Sequence, residues 1–466
     1  MSIEALLDDR PICAISTPPG IGGIAVARVS GDKAIETVDK IWSGKALRTA
    51  RSHSAHYGDI VDSEGNILDS GVATVFIGPK SYTGEDTVEI SVHGSRYIQH
   101  QLINILVAAG CRIAEPGEFT KRAFANGNLD LASAEAVADM IASETKAAHA
   151  IAVRQMKGDY SRRLDELRSK LLDLASLLEL ELDFSEEDVE FASRSALLDI
   201  AVEVRETVRT LVDSFKKGSA IKNGVPVAIV GNPNAGKSTL LNTLLAEDRA
   251  LVSPISGTTR DTIEETLDID GVRFRLIDTA GLRETEDTIE QLGIDRAKDK
   301  IAKAATVIWL VDGEKLSDGD NGYIDKLCSQ RKMIEKTMNP DARLIGVVNK
   351  GELVDIDIPD CLRIEQIISA KENRGVNGLK ELLVEEARKG MPEEAALIVT
   401  NARHYESLRL AAESLDAVIA GLNSGVSGDF IAQDLRQVNH HLGAITGAIT
   451  TNEILSTVFS RFCIGK

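Results

Sequence analysis

Short apolar runs rich in Val and Ile mark the first part of the chain, from Ile12 to Cys111. The runs VATVFIGP and DTVEISVHG are bounded by Gly and Pro, a pattern that is typical of strands. The run IQHQLINILVAAG that follows them has apolar residues at helical spacing. We therefore predict an α+β domain over residues 1–118.

A different pattern begins at Phe119, where apolar residues recur every three or four positions, as in LRSKLLDLASLLELELDF. It returns near the other end of the chain in HYESLRLAAESLDAVIAGL and FIAQDLRQVNHHLGAITG. From Val225 to about Ala387, Val-rich strands alternate with helical segments, which indicates a mainly parallel sheet with helices on both faces. We predict a helical domain in two pieces, residues 119–220 and 388–466, with an α/β domain inserted at residues 221–387.

The composition is that of an ordinary globular protein: 466 residues, enough for about three domains, with 43% hydrophobic and 27% charged residues. The net charge of −19 excludes a broad positive surface, so any RNA contact must be local or shared with a partner. Five widely spaced cysteines without a CxxC argue against a disulfide framework and a zinc site, and favour a reducing compartment. The acidic start MSIEALLDDR and the lack of a long apolar run predict a soluble cytoplasmic protein.

The segment GNPNAGKS, from Gly231 to Ser238, stands between a strand pattern and a helix pattern, which is the context of a phosphate-binding loop. Its glycines allow backbone N–H groups to face a phosphate, and the helix N-terminus adds a favourable dipole. Lys237 can reach the β- and γ-phosphate oxygens, and Ser238 can hold magnesium. The sequence therefore predicts a nucleoside triphosphate site.

Further segments complete this site. Asp278 in RFRLIDTAGL can reach magnesium through water, Gly281 can contact the γ-phosphate, and Thr259 in SPISGTTRD can close the metal shell. Glu352 in LIGVVNKGE can accept hydrogen bonds from the N1–H and 2-amino groups of guanine, a donor pair that adenine lacks. The predicted nucleotide is therefore GTP. Its predicted contacts are Asn234, Ala235, Gly236, Lys237, Ser238, Thr239, Ser253, Pro254, Ile255, Ser256, Gly257, Thr258, Thr259, Asp278, Thr279, Ala280, Gly281, Asn349, Lys350, Glu352, Ser369, Ala370 and Lys371.

Two positions depart from the patterns of other GTPases. Glu352 stands where the translation-factor class, which this set resembles, has the Asp of NKxD, and its side chain is one methylene longer. Leu282 stands where Ras-like proteins have the Gln that orients the attacking water. Asn234, in the phosphate-binding loop, offers a neutral oxygen to a monovalent cation beside the oxygen that bridges the β- and γ-phosphates. The charge of such a cation could replace that of an arginine finger. Which carboxylate orients the water stays open at this point; the candidates are Glu284, Glu286, Asp287 and Glu290.

These motifs, together with STPPGIGGIAVARVSG, YTGEDTVEI, PGEFTKRAFANGNLDL and FCIGK, resemble the MnmE (TrmE) family from Ile12 to Lys466. The resemblance implies a folate-binding α+β domain, a helical domain and an inserted Ras-like P-loop GTPase domain. It implies a homodimer, formed through the N-terminal domain, that works with MnmG on certain tRNAs. There the pair places an aminomethyl or carboxymethylaminomethyl group on carbon 5 of the wobble uridine. The implied cofactors are K⁺, Mg²⁺ and a tetrahydrofolate derivative, 5-formyl or 5,10-methylene, that supplies the methylene.

The resemblance also implies roles for residues of the GTPase domain. Glu290 is the expected catalytic residue and acts through water on the γ-phosphate. GTPase domains are expected to meet across the dimer when potassium and GTP are bound. The expected potassium site consists of Asn234, Ser253, Ile255 and Thr258, and the expected magnesium site of Ser238 and Thr259.

Folate binding is implied at Arg28, Glu85 and Lys466. Two cations suit the glutamyl carboxylates of a folate, and one carboxylate suits the N–H groups of its pterin. Asn128 stands in NGNLDL where the family pattern NGKLDL has Lys, so one cationic contact is missing.

Two other functions share some of these sequence features. A GTPase switch in ribosome assembly would share the phosphate motifs, but such proteins usually carry a basic RNA-binding face or a GxxG loop. This chain ends in acidic helices and FCIGK instead. A structural dimer with a degenerate GTPase is disfavoured because Lys237, Ser238, Thr259 and Asp278 are all present.

Overall fold

The computed structural model describes residues 10–183, 194–249, 265–277, 298–299, 301–353, 358–389, 397–424, 426–460 and 462–465. The chain divides into two compact units. The first comprises Met1–Ala142, Ala152–Val208 and Ser407–Lys466, and the second comprises Ser143–Ile151 and Arg209–Glu406. The three-domain division, with boundaries after residues 118, 220 and 387, stays a prediction beside this arrangement.

A seven-stranded sheet lies in the described part of the first unit. Its strands are β1 (Ile12–Ile15), β2 (Gly22–Ser30), β3 (Trp42–Gly44), β4 (Ser54–Val61), β5 (Ile67–Phe76), β6 (Thr87–Gly94) and β7 (Arg112–Ile113). They lie in the order β3-β4-β5-β6-β2-β1-β7, and neighbours are antiparallel except β1 and β7. Helices α1 (Ala34–Asp39) and α2 (Arg96–Ala109) share one apolar core with the sheet. These elements confirm the predicted α+β fold.

Helices make up most of the remaining described residues. In chain order they are α3 (Glu118–Ala125), α4 (Leu131–Ala142), α5 (Lys146–Met156), α6 (Asp159–Asp183), α7 (Arg194–Asn223), α8 (Lys237–Arg249), α9 (Gly313–Ser317), α10 (Asn321–Thr337), α11 (Val376–Lys389), α12 (Ala402–Ser424), α13 (Gly428–Thr446) and α14 (Asn452–Phe459). Within the first unit, α6 packs against α13. Each presents buried apolar residues spaced alternately three and four apart, which places them along one stripe of the helix. The stripes are Leu164, Leu167, Leu171, Leu174 and Leu178 on α6, and Ile431, Leu435, Val438, Leu442 and Ile445 on α13.

The second unit has a six-stranded sheet in its described part. The strands are β8 (Val225–Gly231), β9 (Glu265–Ile269), β10 (Val272–Leu276), β11 (Thr306–Asp312), β12 (Arg343–Asn349) and β13 (Ile364–Ile367). They lie in the order β13-β12-β11-β8-β10-β9, and every pairing is parallel except that of β9 with β10. Every residue of β11 is buried, because separate apolar clusters cover the two faces of the sheet. This confirms the predicted mainly parallel sheet.

The carboxyl ends of three parallel strands meet at one edge of this sheet. β8 ends at Gly231, β11 ends at Asp312, and β12 ends at Asn349. Leu310 pairs with Gly231, and Asp312 pairs with Asn349, so the three ends are neighbours. In open α/β sheets, ligands bind at the carboxyl ends of the strands.

The cysteines depart in part from the expectation. Cys328 on α10 forms a disulfide with Cys361, across 33 residues of sequence, whereas Cys13 and Cys111 are buried free thiols and Cys463 is exposed. The wide spacing gave no sign of this pair, because the fold rather than the sequence brings the two residues together. None of the described helices has the length and apolar character that crossing a membrane requires.

Candidate functional site

The phosphate-binding loop connects β8 to α8, as its motif predicts. Asn234 and Gly236 have positive φ angles of 64° and 91°, which turn the loop back toward the start of the helix. A β-carbon on Gly236 would lie 2.1 Å from Nδ2 of Asn349, so this position has no room for a side chain. The loop is therefore closed tightly by both its backbone conformation and its neighbour.

Lys237 is the first residue of α8, and its Nζ donates hydrogen bonds to the carbonyl oxygens of Gly231 and Asn232, both at 2.9 Å. The ammonium group thus lies across the phosphate loop. Phosphate oxygens are acceptors of the same kind and carry more charge. The next two residues, Ser238 and Thr239, are exposed in the first turn of the helix, where the Ser238 hydroxyl fits the predicted role of a magnesium ligand.

Asn349 connects the phosphate loop to the loop that carries Ser369, Ala370 and Lys371. Its Nδ2 donates to the carbonyl of Ala235 at 2.9 Å, and its Oδ1 accepts from the backbone N–H of Ala370, also at 2.9 Å. The side chain is 4% exposed, so these bonds are made away from water. Thr243 of α8 adds a bond of 2.8 Å to the carbonyl of Ala370. The structure therefore brings together three segments that the sequence placed in one guanine nucleotide site.

Glu352 lies in a single 3₁₀ turn, Gly351–Leu353, directly after Asn349 and Lys350. The Ser369 hydroxyl donates a hydrogen bond to its carboxylate, and this bond is the main cause of a lowered Glu352 pKa. The backbone N–H of Gly351 donates to the carbonyl of Ile368 at 2.8 Å. The turn is thus joined to the Ser369 loop by both side chain and backbone, and it presents an ionised carboxylate.

Other predicted residues lie outside the described ranges, and their roles stay predictions. They are Ser253, Pro254, Ile255, Ser256, Gly257, Thr258, Thr259, Asp278, Thr279, Ala280, Gly281, Glu290 and Lys466. The candidate carboxylates Glu284, Glu286 and Asp287 lie outside them as well.

Sequence reasoning missed a line of polar side chains that leads to the phosphate loop. The indole N–H of Trp309, on buried β11, donates to Oε1 of Gln330 at 3.3 Å. Nε2 of Gln330 in turn donates to Oδ1 of Asn232 at 3.3 Å. No motif marks these residues. The one sign of this line in the sequence is the polar side chain of Asn232, the second residue of the phosphate loop.

Arg28, on β2, is placed by an ion pair and two aromatic rings. Its guanidinium bonds to Glu89 on β6 at 2.8 to 2.9 Å. The guanidinium carbon lies 5.3 Å from the ring centroid of Tyr82 and 5.6 Å from that of Phe119. Burial raises the pKa of Tyr82, so its hydroxyl, bonded to Thr120, stays neutral at physiological pH.

Glu85 lies on the side of β2 that Arg28 faces, because Ser30, two residues after Arg28, donates to its carboxylate at 3.0 Å. Arg122 of α3 donates to both Glu85 oxygens, at 3.1 and 3.2 Å. The Arg122 side chain also reaches Glu118 and is almost completely buried. The predicted folate residues Arg28 and Glu85 therefore belong to one polar cluster.

The loop that carries Glu85 is held by two amides from the segment after α3. Asn126 donates to the carbonyl of Thr83 at 2.7 Å, and Asn128 donates to the carbonyls of Ser81 and Tyr82 at 3.0 and 3.3 Å. Asn128, where the family pattern has Lys, thus has a structural function of its own. A lysine could donate to the same carbonyls.

The end of the chain packs against this part of the first unit. The hydroxyl of Ser16 donates to the carbonyl of Gly465 at 3.2 Å, and the N–H of Gly117 donates to that of Cys463 at 3.4 Å. A β-carbon on Gly465 would lie 2.4 Å from the carbonyl oxygen of Ile15. The residue that follows Gly465 is Lys466, the third predicted folate contact.

Two family models match the chain. The model described as "MnmE helical domain" matches residues 131–463, and the one described as "GTP-binding protein TrmE N-terminus" matches residues 11–128. Curated relatives named tRNA modification GTPase MnmE are similar over nearly the whole chain. The protein of Christiangramia forsetii is 47% identical over 98% of this chain and 99% of its own length. That of Porphyromonas gingivalis is 47% identical over the full length of both chains.

Among solved structures, the G domain of FeoB from Methanococcus jannaschii is 22% identical and covers 35% of this chain and 96% of its own. Its TM-score of 0.24 is too low to support a conclusion.

Proposed function

The chain belongs to the MnmE family of tRNA modification GTPases, and from that premise we propose that its GTPase cycle drives modification of carbon 5 of the wobble uridine in certain tRNAs. The observation that carries the GTPase assignment is the pair of hydrogen bonds that the Asn349 side chain makes with Ala235 and Ala370. One buried side chain connects the phosphate loop, the turn that carries Glu352 and the Ser369 loop. This is the arrangement that a guanine nucleotide requires, because the same residues must fix both its phosphates and its base.

In the proposed GTP complex, the phosphate loop and Lys237 hold the β- and γ-phosphates, and Glu352 accepts from the guanine N1–H and amino group. Ser238 and Thr259 are the proposed magnesium ligands, and the ion would neutralise charge that develops between the β- and γ-phosphates. Glu290 would orient the attacking water. A carboxylate in that role replaces the glutamine of Ras-like proteins, whose position is taken by Leu282.

Potassium is the proposed activator of hydrolysis. Asn234 is exposed in the phosphate loop with a positive φ angle, and its side-chain oxygen would face the oxygen that bridges the β- and γ-phosphates. Ser253, Ile255 and Thr258 would supply the other oxygens, mostly from the backbone. A cation in this position supplies the charge that an arginine finger supplies elsewhere.

The proposed folate site lies in the N-terminal sheet of the first unit. A tetrahydrofolate derivative would place its acidic groups on Arg28 and Lys466 and its pterin N–H groups on Glu85. The Tyr82 and Phe119 rings, which flank Arg28, provide apolar surface for an aromatic ligand. This site would supply the one-carbon unit for the modified uridine.

We also propose a homodimer formed through the N-terminal sheet. Large apolar side chains on this sheet and beside it are exposed, among them Ile21 at 79%, Ile24 at 69% and Tyr97 at 67%. Gln99 donates to the carbonyls of Gly20 and Gly94, which holds the segments of these three residues side by side. An exposed apolar cluster of this kind is typical of an interface. MnmG, as the second partner, would share the tRNA contact that a chain of net charge −19 cannot make broadly.

Two measurements test the proposal. The purified chain should hydrolyse GTP faster in potassium chloride than in sodium chloride of equal ionic strength, and equal rates would reject the potassium site. Nucleoside analysis of bulk tRNA from cells without the gene should show loss of the aminomethyl-type uridines. Unchanged tRNA nucleosides together with a ribosomal subunit defect would favour the ribosome-assembly alternative.

A further inference from the structure

Lys350 is held by two carboxylates at the carboxyl end of β11. Its Nζ lies 2.9 Å from Oδ2 of Asp312 and 2.9 Å from Oε2 of Glu314. The Glu314 carboxylate, and then that of Asp312, raise the pKa of Lys350, so its ammonium group stays charged. The two carboxylates differ in burial, since the side chain of Asp312 is 1% exposed and that of Glu314 is 63% exposed. Solvent screens the second contact far more than the first.

Asp312 has a second bond that fixes its direction. Its Oδ1 accepts from the backbone N–H of Glu314 at 3.1 Å, which caps the first turn of α9. One carboxylate oxygen therefore belongs to the helix cap and the other to Lys350. Because both oxygens of this buried carboxylate are bonded, its position is fixed, and it fixes the position of the Lys350 ammonium group.

The backbone at Lys350 is strained. Its φ angle is 61°, in the left-handed region that residues other than glycine, Asn and Asp rarely adopt. The residue lies between Asn349, which bonds to the phosphate loop, and the turn that carries Glu352. A strained residue persists where its surroundings fix it, and at Lys350 the ion pair to Asp312 provides that constraint.

From these contacts we infer that Asp312 is a positioning residue for guanine recognition, acting through Lys350 on the turn that carries Glu352. This rests on the proposed role of Glu352 in binding guanine. Asp312 pairs with Asn349 across β11 and β12, so it lies beside the residue that precedes Lys350. On the other side the turn is joined to Ile368 and Ser369. Without the buried ion pair, Lys350 keeps only its contact with the exposed Glu314 carboxylate, and the Glu352 carboxylate can move away from the base.

The test uses the full chain and the variant Asp312→Asn, whose amide oxygen can keep the helix cap while the charge that attracts Lys350 is lost. We expect the Kd for GTP to rise about tenfold, with kcat at saturating GTP unchanged within about twofold. We also expect poorer discrimination against inosine triphosphate, which lacks the 2-amino group. A merely structural effect would weaken both nucleotides equally. Equal weakening, or unchanged affinity, would overturn the inference.

A double-mutant cycle with Lys350→Met isolates the coupling. In the Lys350→Met background, Asp312→Asn should raise the Kd for GTP by no more than about twofold, because the interaction is already lost. If the Kd of the double variant instead rises by the product of the two single-variant effects, the two residues act independently and the inference is overturned.

Asp320→Asn is the matched control. Asp320 caps α10 through the N–H of Gly322 at 2.9 Å but makes no ion pair with Lys350, so its variant should bind GTP like the unaltered chain. Should Asp312→Asn fail to fold, Lys350→Met decides, because it removes the same ion pair from its other end; an unchanged Kd for GTP, or equal weakening of GTP and inosine triphosphate, would overturn the inference. Absence of GTP binding by the unaltered chain would instead reject the proposed function.

Discussion

Asn349 donates a hydrogen bond of 2.9 Å to the carbonyl of Ala235, and so joins the end of β12 to the phosphate loop after β8. The two segments are 114 residues apart in sequence. The bond is buried, so breaking it leaves a donor and an acceptor without water, at a cost of about 1–3 kcal/mol for each. The segments proposed to bind the base and the phosphates are therefore mechanically linked.

Gly236→Ala tests this link. An alanine there would have both an unfavourable φ angle of 91° and a β-carbon 2.1 Å from Nδ2 of Asn349. We expect a loss of about 2–4 kcal/mol in the free energy of unfolding and at least hundredfold weaker GTP binding, measured by denaturant unfolding and fluorescent-nucleotide titration. Gly271→Ala is the control: its φ is 79° and open space surrounds it, so it should cost about 1 kcal/mol and leave GTP binding intact.

Glu352→Gln should change which purine binds. The amide can still accept from N1–H, but it presents an N–H where guanine also presents one. Xanthine has a carbonyl at that carbon, so xanthosine triphosphate should gain affinity as GTP loses about tenfold or more. Competition binding with the two nucleotides measures the exchange, and an unchanged preference for GTP would exclude Glu352 as the guanine acceptor.

The pH dependence of GTP binding follows from the same residue. Because the Ser369 hydroxyl lowers the Glu352 pKa below its ordinary value of 4.5, most of the carboxylate is ionised above about pH 4.5. We expect its contribution to GTP affinity to be constant from about pH 5.5 to 8 and to fall only below about pH 4.5. Titration of affinity against pH, with Glu352→Gln as the reference, separates this contribution from those of other groups.

Arg28→Met should weaken folate binding without unfolding the sheet. Methionine keeps apolar contact with Tyr82 and Phe119 but removes the charge, so we expect at least tenfold weaker binding of 5-formyltetrahydrofolate by calorimetry. Arg48→Met is the control, because Arg48 is exposed and pairs with Asp39 outside the cluster. Equal affinities for the Arg28 and Arg48 variants would contradict the assignment.

The lowered pKa of Glu118 predicts that the N-terminal domain loses stability in acid. Burial alone would raise its pKa, but hydrogen bonds from Arg112 and the Glu115 N–H, with the charges of Arg112 and Arg122, lower the pKa below 4.5. Folding then favours the ionised form. This contribution to stability is complete above about pH 4.5 and is lost as pH falls through the lowered pKa.

The measurement is the thermal midpoint between about pH 3 and 6, followed by Trp42 fluorescence in a Trp309→Phe background. Glu118→Gln should flatten the decline at low pH, whereas the exposed Glu36→Gln on α1 should not. Parallel curves for the Glu118 variant and the unaltered background would show that another group controls the acid transition.

Local patterns in the sequence account for much of the fold. Val-rich runs ending in Gly231 and Asn349 are strands, and the periodic leucines of α6 form a buried stripe, because burial imposes fixed periods on each element. The phosphate loop was likewise recognisable, since its glycines and lysine stand in sequence order. Asp312 and Gln330 were not predicted, because their hydrogen-bond partners Lys350 and Asn232 are distant in the chain. No local pattern encodes such partners.

The contact between Ser16 and Gly465 spans 449 residues. A ribosome that adds about 5–20 residues per second needs about 20–90 s to make that stretch. Throughout this time the backbone of Ile15 and Ser16 lacks its contacts with Gly465. The sheet that contains Ile15 is thus synthesised before helices α3–α14 and completed only after them. The proposed folate site on this sheet therefore takes its final form only after Gly465 has been synthesised.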